Sequence, residues 1–112
     1  MEWSQLGKRI RDERARQWPH RADFAAVVGV SVRTLVDLER GLRSNFSPDT
    51  LAAVEAALGW VAGSCDRVRA GLEPRRWEDP MLTRLRILWP RMSSDARRIM
   101  LDLAEHAARR EP

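Results

Sequence analysis

Apolar residues recur along this chain at intervals of three and four, broken at short distances by glycine or proline. Leu6 and Ile10 stand one helical turn apart, and Pro19 ends the first predicted helix, about Ser4 to Gln17. Phe24, Ala25 and Val28 mark a second, Arg21 to Val28, closed by Gly29. The stretch "GVSVRTLVDLERG" predicts a third over residues 31–40, with Ser31 as cap, Leu35 and Leu38 inward and Gly41 as breaker. "SPDT" opens a fourth: Ser47 caps, Pro48 takes the first helical position, and Asp49 meets the positive end of the dipole. Leu51, Val54 and Leu58 give it an apolar face, and Gly59 ends it.

A fifth helix, about Ser64 to Ala70, continues an apolar line through Val61, Cys65, Val68 and Leu72. Asp79-Pro80 starts a sixth with Leu82, Leu85 and Leu88, and Pro90 ends it. Ser93 and Asp95 start a seventh, whose Ile99, Met100, Leu103 and Ala107 share one stripe. No stretch alternates as a strand does, and no Asn-Gly or Asp-Gly hairpin turn is present, so the fold class is all-α. The one linker-like stretch is "GLEPRRWED". It divides the 112 residues into a domain over 1–73 and an αα-hairpin over 74–112.

Charge changes this picture modestly. The balance is +4, and of the 20 basic residues only Lys8 is lysine. Arginine suits bidentate contacts to phosphate or guanine, although a GC-rich codon bias accounts for most of these residues. Residues 1–46 hold 9 basic and 6 acidic groups, so the surplus lies mainly in the front of the chain. That is permissive of nucleic-acid binding without proving it.

Catalytic chemistry finds no foothold. Cys65 is alone, His20 and His106 are far apart, and neither metal-ligand spacing nor a phosphate-cradling glycine loop is visible. We therefore expect no enzyme activity, no metal and no cofactor. The N-terminal run lacks the apolar core of a signal peptide, and no run is long enough to span a bilayer. The expectation is a cytoplasmic protein without a membrane partner.

The third helix carries the functional signal. The connection "VGVS" is too short for anything but a steep crossing of the two helices it joins, and Ala25 is small enough to admit the second of them. Burying Leu35 and Leu38 leaves Val32, Arg33, Val36, Asp37 and Arg40 outside. A propped helix with a polar, partly basic outer face fits a major groove about 12 Å wide.

Here the chain resembles the Cro/lambda-repressor-type, or XRE-type, helix-turn-helix regulators. The resemblance covers roughly residues 4–72 and rests on Phe24-Ala25, "GVS", "RTL..LERG" and "SPDTLAAVEAALGW" in ungapped order. "RSNFSPDTL" and "ALGW..GS" look especially like small actinobacterial and prophage-borne members. The resemblance implies a five-helix lambda-repressor-like domain that binds double-stranded DNA as a transcription regulator, with helix three in the groove. It puts Arg21 at the DNA-touching start of helix two and Ser31, Val32, Arg33 and Thr34 at the reading end of helix three. Arg43, Ser44 and Asn45 fall in the phosphate-gripping loop, and Arg14 and Glu39 match a buried ion pair between helices one and three. Two departures from the family stand out: Val36 and Asp37 replace small polar or basic residues, and bulky Trp18 replaces a glycine before helix two.

Residue chemistry then sorts the roles. Arg33 suits guanine O6/N7, and Val32 a thymine methyl, with Val36 and Asp37 completing the base-reading set. Asp37 either fixes the arginine fork or accepts from a cytosine amine; its plain alternative is a surface ion pair worth about 0–1 kcal/mol. Arg21, Ser31, Thr34, Arg40, Arg43, Ser44 and Asn45 are read as backbone contacts. The C-terminal stripes, Leu82, Leu85, Trp89, Ile99, Met100 and Leu103, are expected to form a homodimer interface, with a cap over the core as the alternative. A repressor is the leading reading. An antitoxin or adaptor whose C-terminal helices bind a small partner protein, with the helix-turn-helix serving autoregulation, is the other.

Overall fold

Leu6 and Ile10 are fully buried, and the helix that carries them is the element against which most others pack. The computed structural model describes residues 2–110. Over these run α1 (Glu2–Gln17), α2 (Arg21–Val28), α3 (Val32–Arg40), α4 (Pro48–Leu58), α5 (Ser64–Arg69), α6 (Pro80–Leu88) and α7 (Ser94–Arg110). A single 3₁₀ turn, Trp89–Arg91, separates the last two. The described residues contain no strand; one antiparallel bridge joins Trp60 to Arg76.

Capping chemistry sets the ends. Ser31 Oγ accepts from the Thr34 N–H at 3.0 Å, and Ser47 Oγ does the same for Thr50 at 3.1 Å. Asp79 accepts from the Met81 N–H at 2.7 Å, with Pro80 at the first helical position. Gly29 turns the chain out of α2 at φ +86°, a conformation that L side chains rarely adopt. The first helix begins at Glu2, two residues before its expected start. Glu2 pairs with Arg69, whose guanidinium lies 4.2 Å above the Trp3 ring, so the first turn is held down on α5.

The core gathers one face from each of the first five helices. Leu6, Ile10, Phe24, Leu35, Leu38, Val54 and Trp60 are its fully or almost fully buried members. Trp18 is absorbed into it beside Phe24, with ring centroids 6.4 Å apart. The apolar line through α5 is only half realised: Cys65 and Val68 are buried, whereas Val61 and Leu72 are exposed. α5 is six residues long, so both ends of the line fall in turns and leave its face.

The C-terminal segment divides unexpectedly. α6 packs on α4 and α1, and Thr83 sits fully buried beneath Gly59. The stretch before it is knit to the body as well: the Val61 N–H donates to the Arg75 carbonyl at 2.7 Å and the Trp77 N–H to that of Gly59 at 3.1 Å. The break expected after residue 73 is therefore bridged, and α6 extends the first packed unit. α7 does otherwise. It has no buried residue, and the stripe that could have capped the core is left open. The molecule measures 47 × 30 × 20 Å.

Candidate nucleic-acid interface

Leu35 and Leu38 fix α3 from behind, each about 1% exposed. On the opposite side Val32 is 44% exposed and the Arg33 side chain 85%. Arg40 is exposed, while Val36 and Asp37 are half-buried at the edge of this face. Ser31 and Thr34 are engaged with each other: besides the cap, Ser31 Oγ donates to Thr34 Oγ1 at 2.9 Å. α3 thus presents a rigid N-terminal turn whose most accessible charged group is Arg33.

One carboxylate orients the helix. Glu39 is fully buried at the side chain and accepts from Arg14 Nε at 2.9 Å and Arg14 Nη2 at 3.1 Å, a bidentate pair joining α1 to α3. Arg14 Nη1 also donates to the carbonyls of Trp18 and Pro19, at 3.2 and 3.3 Å, which fixes the turn into α2. Arg21 Nε donates to Glu39 Oε1 at 2.9 Å from the first residue of α2. Two guanidiniums on one carboxylate leave a net positive charge where three helices meet, and Arg21 keeps part of its side chain in solvent. The third partner was not foreseen. Arg21 and Glu39 are eighteen residues apart, and only the tight α2–α3 turn brings them together.

Asp37 turns sideways. Its carboxylate lies 3.3 Å from Arg43 Nε and 3.5 Å from Arg33 Nε. Arg43 also donates to Asn45 Oδ1 at 3.2 Å and stacks 4.4 Å from the Phe46 ring centre. The loop after α3 is thereby tied to the reading helix, with Ser44 and Asn45 exposed at its rim.

Two supports escaped the sequence pattern. Gly7 lies where α1 crosses α3, and a Cβ there would collide with the carbonyl oxygens of Leu38 and Glu39. Glu13, also buried, accepts from Arg9 at 2.7 Å, from the Trp60 indole N–H at 3.1 Å and from both terminal nitrogens of Arg76 at 2.6 and 2.7 Å. Burial alone would raise its pKa, but the hydrogen bonds from Arg76, Arg9 and Trp60 outweigh it and hold the carboxyl below the usual range. Cys65 is pushed the other way, chiefly by burial and then by nearby Glu55, so its thiol stays protonated. Glu13 falls on the inner side of α1 with Ile10 and Arg14, which was its only signal in the sequence.

The C-terminal residues separate into two groups. Leu85 is half-buried on α6, and Leu82 and Trp89 are exposed beside it. Ile99, Met100 and Leu103 lie exposed on α7. No helix among the described residues is long and apolar enough to cross a membrane.

Residues 8–62, close to half of the chain, match a protein-family model described as helix-turn-helix. The match runs from within α1 to just beyond α4, so it contains α2, α3 and the turn between them. It supports a DNA-binding regulator of the XRE type, as the resemblance implied. Neither the curated proteins nor the solved structures gave a match.

Proposed function

We propose that this protein is a sequence-specific double-stranded DNA-binding transcription regulator, acting as a repressor in the cytoplasm, that lays α3 in the major groove. The observation that carries this reading is the contrast across α3. Its inner side is locked by Leu35, Leu38 and the Arg14–Glu39–Arg21 cluster, while Val32 and Arg33 stand open. A helix that must read base edges needs both properties, because a loosely held reader would lose its register on the duplex.

In this reading Arg33 contacts guanine O6/N7 and Val32 a thymine methyl, with Val36 at the margin of the footprint. Asp37 holds Arg33 and Arg43 in place from the side. Arg21, Arg40, Arg43, Ser44 and Asn45 meet phosphates, while Ser31 and Thr34 complete the cap that faces the backbone. Two half-sites one helical turn apart, about 34 Å, require a two-fold dimer, which Leu82, Leu85, Trp89, Ile99, Met100 and Leu103 are available to build.

Selection from a random duplex pool tests the reading directly: it expects a symmetric winning motif. Arg33→Ala should then lose roughly 1–3 kcal/mol of discrimination at one base pair per half-site while retaining non-specific affinity. Full specificity in that variant refutes the role given to α3.

The uncovered stripe of α7 also favours a second reading, an antitoxin or adaptor that binds a small co-encoded protein and regulates its own gene. Co-purification with that neighbour, beside a gel shift on the gene's own upstream DNA, separates the two.

A further inference from the structure

α7 poses a physical problem in isolation. None of its seventeen residues is fully buried, only Ala96 and Arg97 at its base are half-buried, and Ile99, Leu101 and Leu103 each expose more than half of their surface. Short helices are marginal in water without a packed face. Only its base is fixed: Arg97 Nε donates to the Trp89 carbonyl at 2.9 Å and Nη2 to that of Pro90 at 3.2 Å, with the guanidinium over the Trp89 ring.

Its pattern specifies what covers it. Ala96, Met100, Leu103 and Ala107 follow at spacings of four, three and four, the seam spacing of paired helices. We propose that α7 pairs antiparallel with α7 of a second copy, Met100 against the partner's Leu103, about a two-fold axis passing between residues 101 and 102. That register places Ala96 opposite the partner's Ala107 with no further adjustment, so the stripe is complementary to itself. Charge selects the direction. Asp95, Arg97 and Arg98 stand at the start of α7, and Glu105, Arg109 and Arg110 near its end. The antiparallel register sets Arg98 opposite the partner's Glu105, brings Asp95 beside the partner's Arg109 and opposes the helix dipoles, whereas parallel pairing in register sets each charge against its own copy.

Area points the same way. Stable interfaces bury about 1,200–2,000 Å² in total, more than one short helix pair is expected to supply. Antiparallel pairing returns the partner's last turn to the base of α7, where Trp89 is 37% exposed and adds a large apolar surface. The proposal rests on the dimer named above and assigns it to α7, its direction and its register.

Mass measurement in solution, with spin labels at Asp102→Cys and separately at Arg109→Cys, tests it; native Cys65 is buried and stays unlabelled. The two labels at position 102 should lie almost level along the paired helices. Those at 109 should be displaced by about 22 Å along the axis, from the 1.5 Å rise per residue. Met100→Asp should weaken dimerisation by about 100-fold or more, with helix content and melting of the α1–α6 body preserved. Equal label separations at both positions, or wild-type protein that is monomeric at about 100 μM, would overturn the proposal. A monomer that still binds one half-site duplex would leave the role of α3 intact, so the two readings fail separately.

Discussion

Glu39 lies buried behind the open face of α3 rather than on it. It gathers Arg14 and Arg21 from two other helices onto one buried carboxylate. Replacing it with glutamine keeps the shape and removes the charge, leaving two arginines facing a neutral amide. Glu39→Gln should cost about 3–5 kcal/mol, the usual penalty for breaking a buried ion pair, measured as a fall in the urea midpoint. Glu13 adds a pH dependence. Its folded pKa lies below its unfolded value, so its contribution is fully present above the ordinary glutamate range and is lost as the pH falls through the folded value. Stability measured from about pH 6 down to about pH 3 should therefore drop in the wild type. Glu13→Gln should be less stable at neutral pH and give a flatter acid limb. Equal slopes would show that other carboxylates dominate.

Between α1 and α3 the decisive feature is a missing side chain. Gly7 lets the backbone of α1 approach the Leu38 and Glu39 carbonyls, which places Arg14 one side-chain length from Glu39. Alanine is the better helix former, so propensity alone favours Gly7→Ala by about 1 kcal/mol. The collision is with backbone rather than with a flexible side-chain end, and overpacking of this kind costs about 1–3 kcal/mol. Net destabilisation is the expected outcome, with weakened DNA binding as α3 tilts. A more stable variant would mean that α1 slides freely over α3. α6 and α7 offer the opposite contrast. Both carry apolar residues at helical spacing, yet α6 seats Thr83 under Gly59 and joins the body, while the apolar stripe of α7 beyond its base is left uncovered.

For the whole molecule, the predicted interaction is electrostatic in strength and local in specificity. Arg21, Arg33, Arg40 and Arg43 all come from α2, α3 and the loop after them, within the front part of the chain that holds most of the basic surplus. Affinity for duplex should fall steeply with salt, because phosphate contacts release counterions. Arg40→Ala should reduce the log–log slope by about 1 while leaving the preferred sequence unchanged, as expected for a contact to backbone alone. An unchanged slope would remove Arg40 from the footprint.

The sequence by itself determined the seven helices, their caps and the turn between α2 and α3. Ser31, Ser47, Gly29 and the three-and-four spacing of leucines act within a few residues of where they stand, so their effects are legible locally. The Arg14–Glu39 pair was legible only through family resemblance, since twenty-five residues separate its members. The Arg21 contact to Glu39, the Glu13–Arg76–Trp60 cluster and the passage at Gly7 were decided by the tertiary structure alone. So was the joining of α6 to the body while α7 was left open. Each of these depends on the distance between helix surfaces that no spacing along the chain encodes, because periodicity records which face is apolar and says nothing of what that face will meet.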